Sequence, residues 1–408
     1  MRTYIYYIII ATLLCCSCID EFEADLSSSD TRILCVEGTI RSNTDCTFYL
    51  SHGIPIKLDD DDFYDGFAIW DAQIAVHGSN GEIWEGHNIY EGYGGYDLNY
   101  GYSSYIGYGG YGFMAGTYVV PVGQLDPSTE YWLEVKWNDN TYASKPQLPL
   151  PTPEIQNLKW GMSVDEQYVN IMVTPAPTDS KEQYYRWNYE ETWEVHTPLV
   201  AFYEYVPEQD MILPIQNYLN IGWAHANGRF SKLGSNESYQ DGQINNLVVY
   251  QIHKDEDRFV YRYYTRVYQT AITREEYEYE NLSRQLSDEM GGLFTPQPSA
   301  LPTNISCQTA DLQAIGYVGV SLNTTSAHVY ANRNAVNHVD RRVVQMAEED
   351  YLLQAPWLQL WQWGYRVYEY IEGSPFPPTW TLRWCVDCTD PSWGASLERP
   401  SFWVDKED

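Results

Sequence analysis

The run YYRWNYEETWEV, residues 184–195, constrains the fold more than any other segment. Tyr185, Trp187, Tyr189, Trp193 and Val195 share one parity, while Arg186, Asn188, Glu190, Thr192 and Glu194 share the other. Successive side chains of a strand point to opposite faces, so this pattern predicts a strand with one buried aromatic face. Phe259 to Tyr268 reads as a second strand of the same kind. An aromatic content of 15%, mostly 37 Tyr and 15 Trp, favours strands over helices throughout.

The first half of the chain carries the same signal in shorter pieces. Ile33–Val36 leads to Gly38–Ile40, a polar turn at Arg41–Asp45 and then Cys46–Leu50, which is a hairpin pattern. Further strands are expected at Ala72–His77, Gly116–Val122 and Tyr131–Trp137, with Asn138-Asp139-Asn140 as a turn. Strands at this spacing without a helical period predict a β-sandwich over 31–145. Pro146, Pro149, Pro151 and Pro153 follow. Proline removes a backbone donor, so 146–153 reads as a linker rather than a central strand. A larger β-rich domain is expected over 154–408, with strands at Ala314–Val320 and Ala327–Ala331 and a Trp-rich end from Trp357 to Trp403. One amphipathic helix is predicted at about 274–290. Thr273-Arg274-Glu275-Glu276 forms a capping box, Tyr279, Leu282, Leu286 and Met290 form an apolar stripe, and Gly291-Gly292 supplies the stop. The fold class is therefore mainly β.

The N-terminus addresses the chain. Arg2, an apolar run from Tyr4 to Leu14 and the small residue Ser17 before Cys18 form a lipoprotein signal over 1–17. Eleven apolar residues fall short of the roughly 20 that a spanning helix needs. Cys18 becomes the first mature residue and carries the acyl chains, each buried methylene contributing about 0.8 kcal/mol of anchoring. Residues 18–30 are polar and acidic and read as a flexible tether. A formal net charge of −32 repels phosphate polyanions, so nucleic acid is excluded as a partner and the membrane is reached through lipid alone.

The search for chemistry returns little. No HExxH, P-loop or nucleophile elbow occurs, no cofactor is expected, and no metal site is assigned. Gly107-Tyr108-Gly109-Gly110-Tyr111-Gly112 has dinucleotide-fingerprint spacing but lacks a βαβ context. The acidic run Asp59–Asp62 with Asp65 departs from the EF-hand pattern and reads as a solvated loop. Glu190 and Glu194 share a strand face and are the weak candidates for a glycan-hydrolase carboxylate pair. Cys385 and Cys388 are candidates for a tight structural disulfide, and Cys35 and Cys46 flank the first turn and are candidates for another, leaving Cys307 odd. Residues 90–112 form a Tyr/Gly-rich loop. Tyr93, Tyr96, Tyr100, Tyr102, Tyr105, Tyr108 and Tyr111 offer flat amphipathic contact area on a pliable backbone, suited to a ligand or a partner surface, with an inserted surface loop as the alternative.

The segments CIDEFEADLSSSDTRILCVEGTI (18–40), YYRWNYEETWE (184–194), GGLFTPQPSALPTNIS (291–306) and CVDC…ERPSFW (385–403) resemble the Bacteroidota lipoprotein family of domain of unknown function 4249. That resemblance implies an N-terminal sandwich of carboxypeptidase-regulatory or transthyretin type followed by the larger β-rich domain. It also implies Asp20, Glu21 and Glu23 as a surface-export signal, and a TonB-dependent outer-membrane transporter as partner. It implies no reaction. The expectation is a non-enzymatic outer-membrane lipoprotein facing the cell exterior and assisting nutrient capture. A cell-surface adhesion or scaffold protein is the alternative, with a glycan hydrolase behind it.

Overall fold

The computed structural model describes residues 33–52, 68–89, 116–228, 231–239, 241–289, 302–338, 342, 344 and 354–405. The expected first hairpin forms from Leu34–Arg41 and Thr44–His52, with Leu34, Val36, Ile40, Cys46, Phe48 and Leu50 all turned inward. Gly116–Val122 pairs with the second of these strands, and its alternate residues Tyr118, Val120 and Val122 are buried. A second sheet faces this one. Its centre is Gln73–Gly78, Tyr131–Trp137 and Asn140–Ser144, which bury Val76, Leu133, Val135 and Tyr142 against the same core. The predicted turn is a two-residue hairpin loop between Trp137 and Asn140. Asn138 and Asp139 take φ values of 49° and 59°, the left-handed pair that matches strand twist.

Both sheets are completed from far along the chain, which corrects the expected boundary at residue 145. Ala314–Ser321 pairs in parallel with Leu34–Arg41, and Ile305–Cys307 pairs with Asn140–Ser144. Ile305, Ala314, Val318 and Val320 belong to the sandwich core. At Gly316 the backbone takes φ 131°, and a Cβ there would overlap the Val36 carbonyl, so only glycine lets the two strands meet. The proline segment is correspondingly pinned. The Leu150 amide donates to Val320 O, and Thr152 exchanges bonds with Asn323.

The larger unit is a second pair of sheets. Thr325–Asn332, Arg262–Ile272, Tyr184–His196, Ile221–Asn227 and Ala395–Ser396 lie in that order, with Lys232–Ser235 also paired to Tyr184–His196. Leu247–His253, Tyr168–Pro175 and Ile155–Met162 form the facing sheet. Tyr185, Trp187, Val169, Ile171 and Val267 fill the space between. A satellite forms from the hairpin Tyr203–Val206 and Met211–Pro214, the short helix Trp357–Gln362 and the strands Tyr365–Glu369 and Thr379–Leu382. These pack Tyr205, Ile212, Leu360, Val367 and Trp380 together.

The predicted helix is Arg274–Glu289. Thr273 caps it, accepting from the Glu276 amide at 3.1 Å. The reciprocal half of the capping box is replaced, because the Glu276 carboxylate turns inward onto Arg186 Nη1 at 3.0 Å. Arg186 also meets Glu280 at 2.5 Å and donates through Nη2 to Thr39 at 3.0 Å. One guanidinium thus ties the large sheet, the helix and the first sandwich together. Burial pushes the Glu276 carboxyl up to about 7 despite Arg186, with the Glu280 charge adding to the rise. Burial opposes the charge on Arg186, yet its two carboxylates outweigh that and keep it ionised.

Candidate functional site

The satellite presents an open groove of about 650 Å³. Its walls are Tyr205 and Pro207 from the hairpin and Pro356, Trp357 and Leu358 from the short helix, with Asp210 at the rim. The local sequence explains the arrangement. Val206 pairs with Met211, so Pro207–Asp210 is a four-residue turn. Proline presets φ at its start, and Asp210 closes it at φ 49°, a conformation Asp tolerates better than bulky residues. Pro356 begins the helix and Leu360 anchors its buried side, which leaves Trp357 and Leu358 36% and 43% exposed. The Trp357 ring stands edge-on to Tyr205 at 6.2 Å, and Trp380 supports Tyr205 at 6.0 Å. The Tyr205 hydroxyl donates to Asp210 Oδ1 at 2.8 Å, which fixes the carboxylate's orientation. Burial and that bond push the Tyr205 phenol up, so it stays protonated as the donor.

A second polar cluster lies between the two large sheets. Glu191 is 5% exposed and sits on the aromatic face of the Tyr184–His196 strand. Arg258 Nη1 donates to both its oxygens, at 2.8 and 3.0 Å, and the Tyr263 hydroxyl donates to Oε1. Tyr250 bonds Tyr263 and Thr265, both at 2.7 Å, and stacks on Tyr189 at 3.7 Å. Burial, with the Glu191 charge nearby, raises Tyr250 and Tyr263 far above their ordinary range. Each of these side-chain oxygens has a partner, and the network ties the two sheets together.

The sequence candidates fare differently. Cys18, Asp20, Glu21, Glu23, the acidic run 59–65 and all seven loop tyrosines from Tyr93 to Tyr111 lie outside the described residues. Glu190 pairs with Arg266 at 3.5 Å, and Glu194 pairs with His196. Four residues along one strand separate them by about 13 Å, beyond the carboxylate spacings that glycosidases use. Both disulfide expectations are corrected, since all five described cysteines are thiols. Cys35 aligns with Ser51, whereas Cys46 aligns with Val120 and turns into the core on the opposite parity. Cys385 packs with Ala201 and Val386, while Cys388 packs apart from it with Val195 and Ala224. Burial raises the Cys388 thiol to about 11, which makes it inert.

Sequence reasoning missed Glu191 and the groove. Glu191 was signalled: a carboxylate at the buried parity of an aromatic strand requires a partner. The Trp-rich end was visible, but its approach to the hairpin at 203–214 was not. Among the described residues no group of three or more His, Cys, Asp or Glu could hold a metal ion, and no helix is long and apolar enough to cross a membrane.

The family model described as "Domain of unknown function (DUF4249)" matches residues 19–327. The chain belongs to this family. No curated protein matches the DUF4249 chain in sequence. Among solved structures, a two fibronectin type-III domain segment from chicken tenascin is similar at 12% identity, covering 57% of this chain and 88% of that one, with a TM-score of 0.12.

Proposed function

We propose that this DUF4249 protein is a lipid-anchored outer-membrane protein, non-enzymatic and facing the cell exterior, that docks on a TonB-dependent transporter and assists capture of its cargo. The observation that carries the reading is the start of the chain. A basic residue, a short apolar run and a small residue before Cys18 match lipoprotein processing, and Asp20, Glu21 and Glu23 follow at once. The groove supports binding over turnover. Its lining offers aromatic walls and one carboxylate, with no His, Ser, Cys or Lys to act as nucleophile or shuttle.

A tagged copy purified from gently solubilised outer membranes is expected to bring a large β-barrel with it. Recovery of the lipoprotein alone overturns the partner assignment. Deleting the partner transporter separates this reading from adhesion, which predicts unchanged surface behaviour.

A further inference from the structure

We propose that the groove between Tyr205 and Trp357 binds the guanidinium or ammonium of a basic peptide side chain. The proposal rests on the reading of this protein as a capture protein and names the chemistry of what it captures.

The donor and acceptor inventory of the groove decides the class. Proline, leucine and alanine side chains in the lining contribute no polar atom. The Tyr205 proton is already committed to Asp210 Oδ1. Asp210 Oδ2 has no part in that bond, and an ionised carboxylate only accepts. A group that brings donors and a positive charge suits that acceptor, and the ammonium and guanidinium groups of Lys and Arg are donors without acceptors. The half-exposed Trp357 ring in the lining supplies the second element, because an indole attracts a cation centred within about 6 Å of its ring. Glu208, in the same turn as Asp210, adds negative potential that is felt at the Tyr205 hydroxyl. Among the described lining residues no side chain is basic. The surrounding field favours the same sign, since the whole chain carries a formal charge of −32. A space of about 650 Å³ also exceeds one guanidinium, leaving room for an aliphatic stem along Pro356 and Leu358.

A neutral sugar would meet the same aromatic faces. Its hydroxyls accept as often as they donate, however, and only the Trp357 indole N–H remains among the lining side chains to answer them.

The test uses the full mature lipoprotein in detergent, titrated calorimetrically with three probes: N-acetyl-arginine amide, its neutral isostere N-acetyl-citrulline amide, and tetramethylammonium. Arginine amide is expected to bind at least tenfold more tightly than citrulline amide and to weaken as salt rises. Asp210→Asn keeps an acceptor for Tyr205 but removes the charge, and is expected to weaken binding tenfold or more. Trp357→Ala is expected to do the same, and Trp357→Phe to retain part of the affinity. Tighter binding of arginine amide than of tetramethylammonium, which brings charge without a donor, supports the assignment to basic side chains, and the reverse order overturns it. Equal affinity for citrulline and arginine, unchanged affinity in Asp210→Asn, or no binding of any probe overturns it. Loss of the co-purifying barrel would sink the transporter reading while leaving this titration intact, so the two failures are distinguishable.

Discussion

Glu276 makes the stability of this protein depend on pH in a predictable direction. Its carboxyl rises from the ordinary 4.5 to about 7, chiefly because burial disfavours the charged form. A group whose folded-state pKa is raised stabilises the fold fully below its unfolded pKa and loses that contribution as pH climbs through the folded value. The window therefore runs from about pH 4.5 to just above pH 7. At about 1.4 kcal/mol per pKa unit, the loss across it is roughly 3 kcal/mol. Glu276→Gln preserves shape and an oxygen for Arg186 while removing the proton equilibrium. Urea unfolding at pH 5 and pH 8 is the assay. The wild-type chain should lose roughly 3 kcal/mol more than the variant between those pH values, with the general effect of net charge common to both. Equal losses in the two proteins would refute the assignment of a buried, partly protonated Glu276 beside Arg186 and Glu280.

Three further outcomes follow from the packing. Glu191→Ala should cost about 1–3 kcal/mol in chemical denaturation, because it removes the acceptor of the buried Tyr263 hydroxyl and one of the two carboxylates that meet half-buried Arg258. Gly316→Ala should abolish folding of the first sandwich, seen as loss of near-ultraviolet circular dichroism, because a Cβ there overlaps the Val36 carbonyl at φ 131°. Alkylation of the unfolded, unreduced chain should modify Cys35, Cys46, Cys307, Cys385 and Cys388 alike, read by peptide mass, whereas protection of any pair would restore a disulfide.

Local patterns carried the strands into view, and long-range partners stayed hidden. Gly116–Val122 and Tyr131–Trp137 occupy their expected spans, because alternation and flanking turns are local properties. The return of Ala314–Ser321 to pair in parallel with Leu34–Arg41 has no local signature, since a strand's apolar pattern does not say which neighbour it will join. The same limit hid the groove: Tyr205 and Trp357 are far apart in sequence and meet only through the satellite core at Leu360 and Trp380. The capping box was legible as a helix start, yet Glu276 served a tertiary ion pair in place of its local one. Cys35 and Cys46 illustrate the converse, because flanking a turn places two residues near each other without placing them on the same face.

The mass of the mature N-terminal peptide tests the functional account most directly. The account predicts a chain beginning at Cys18 with acyl chains on its sulfur and amine. An unmodified first residue on a protein released freely in soluble form would contradict it.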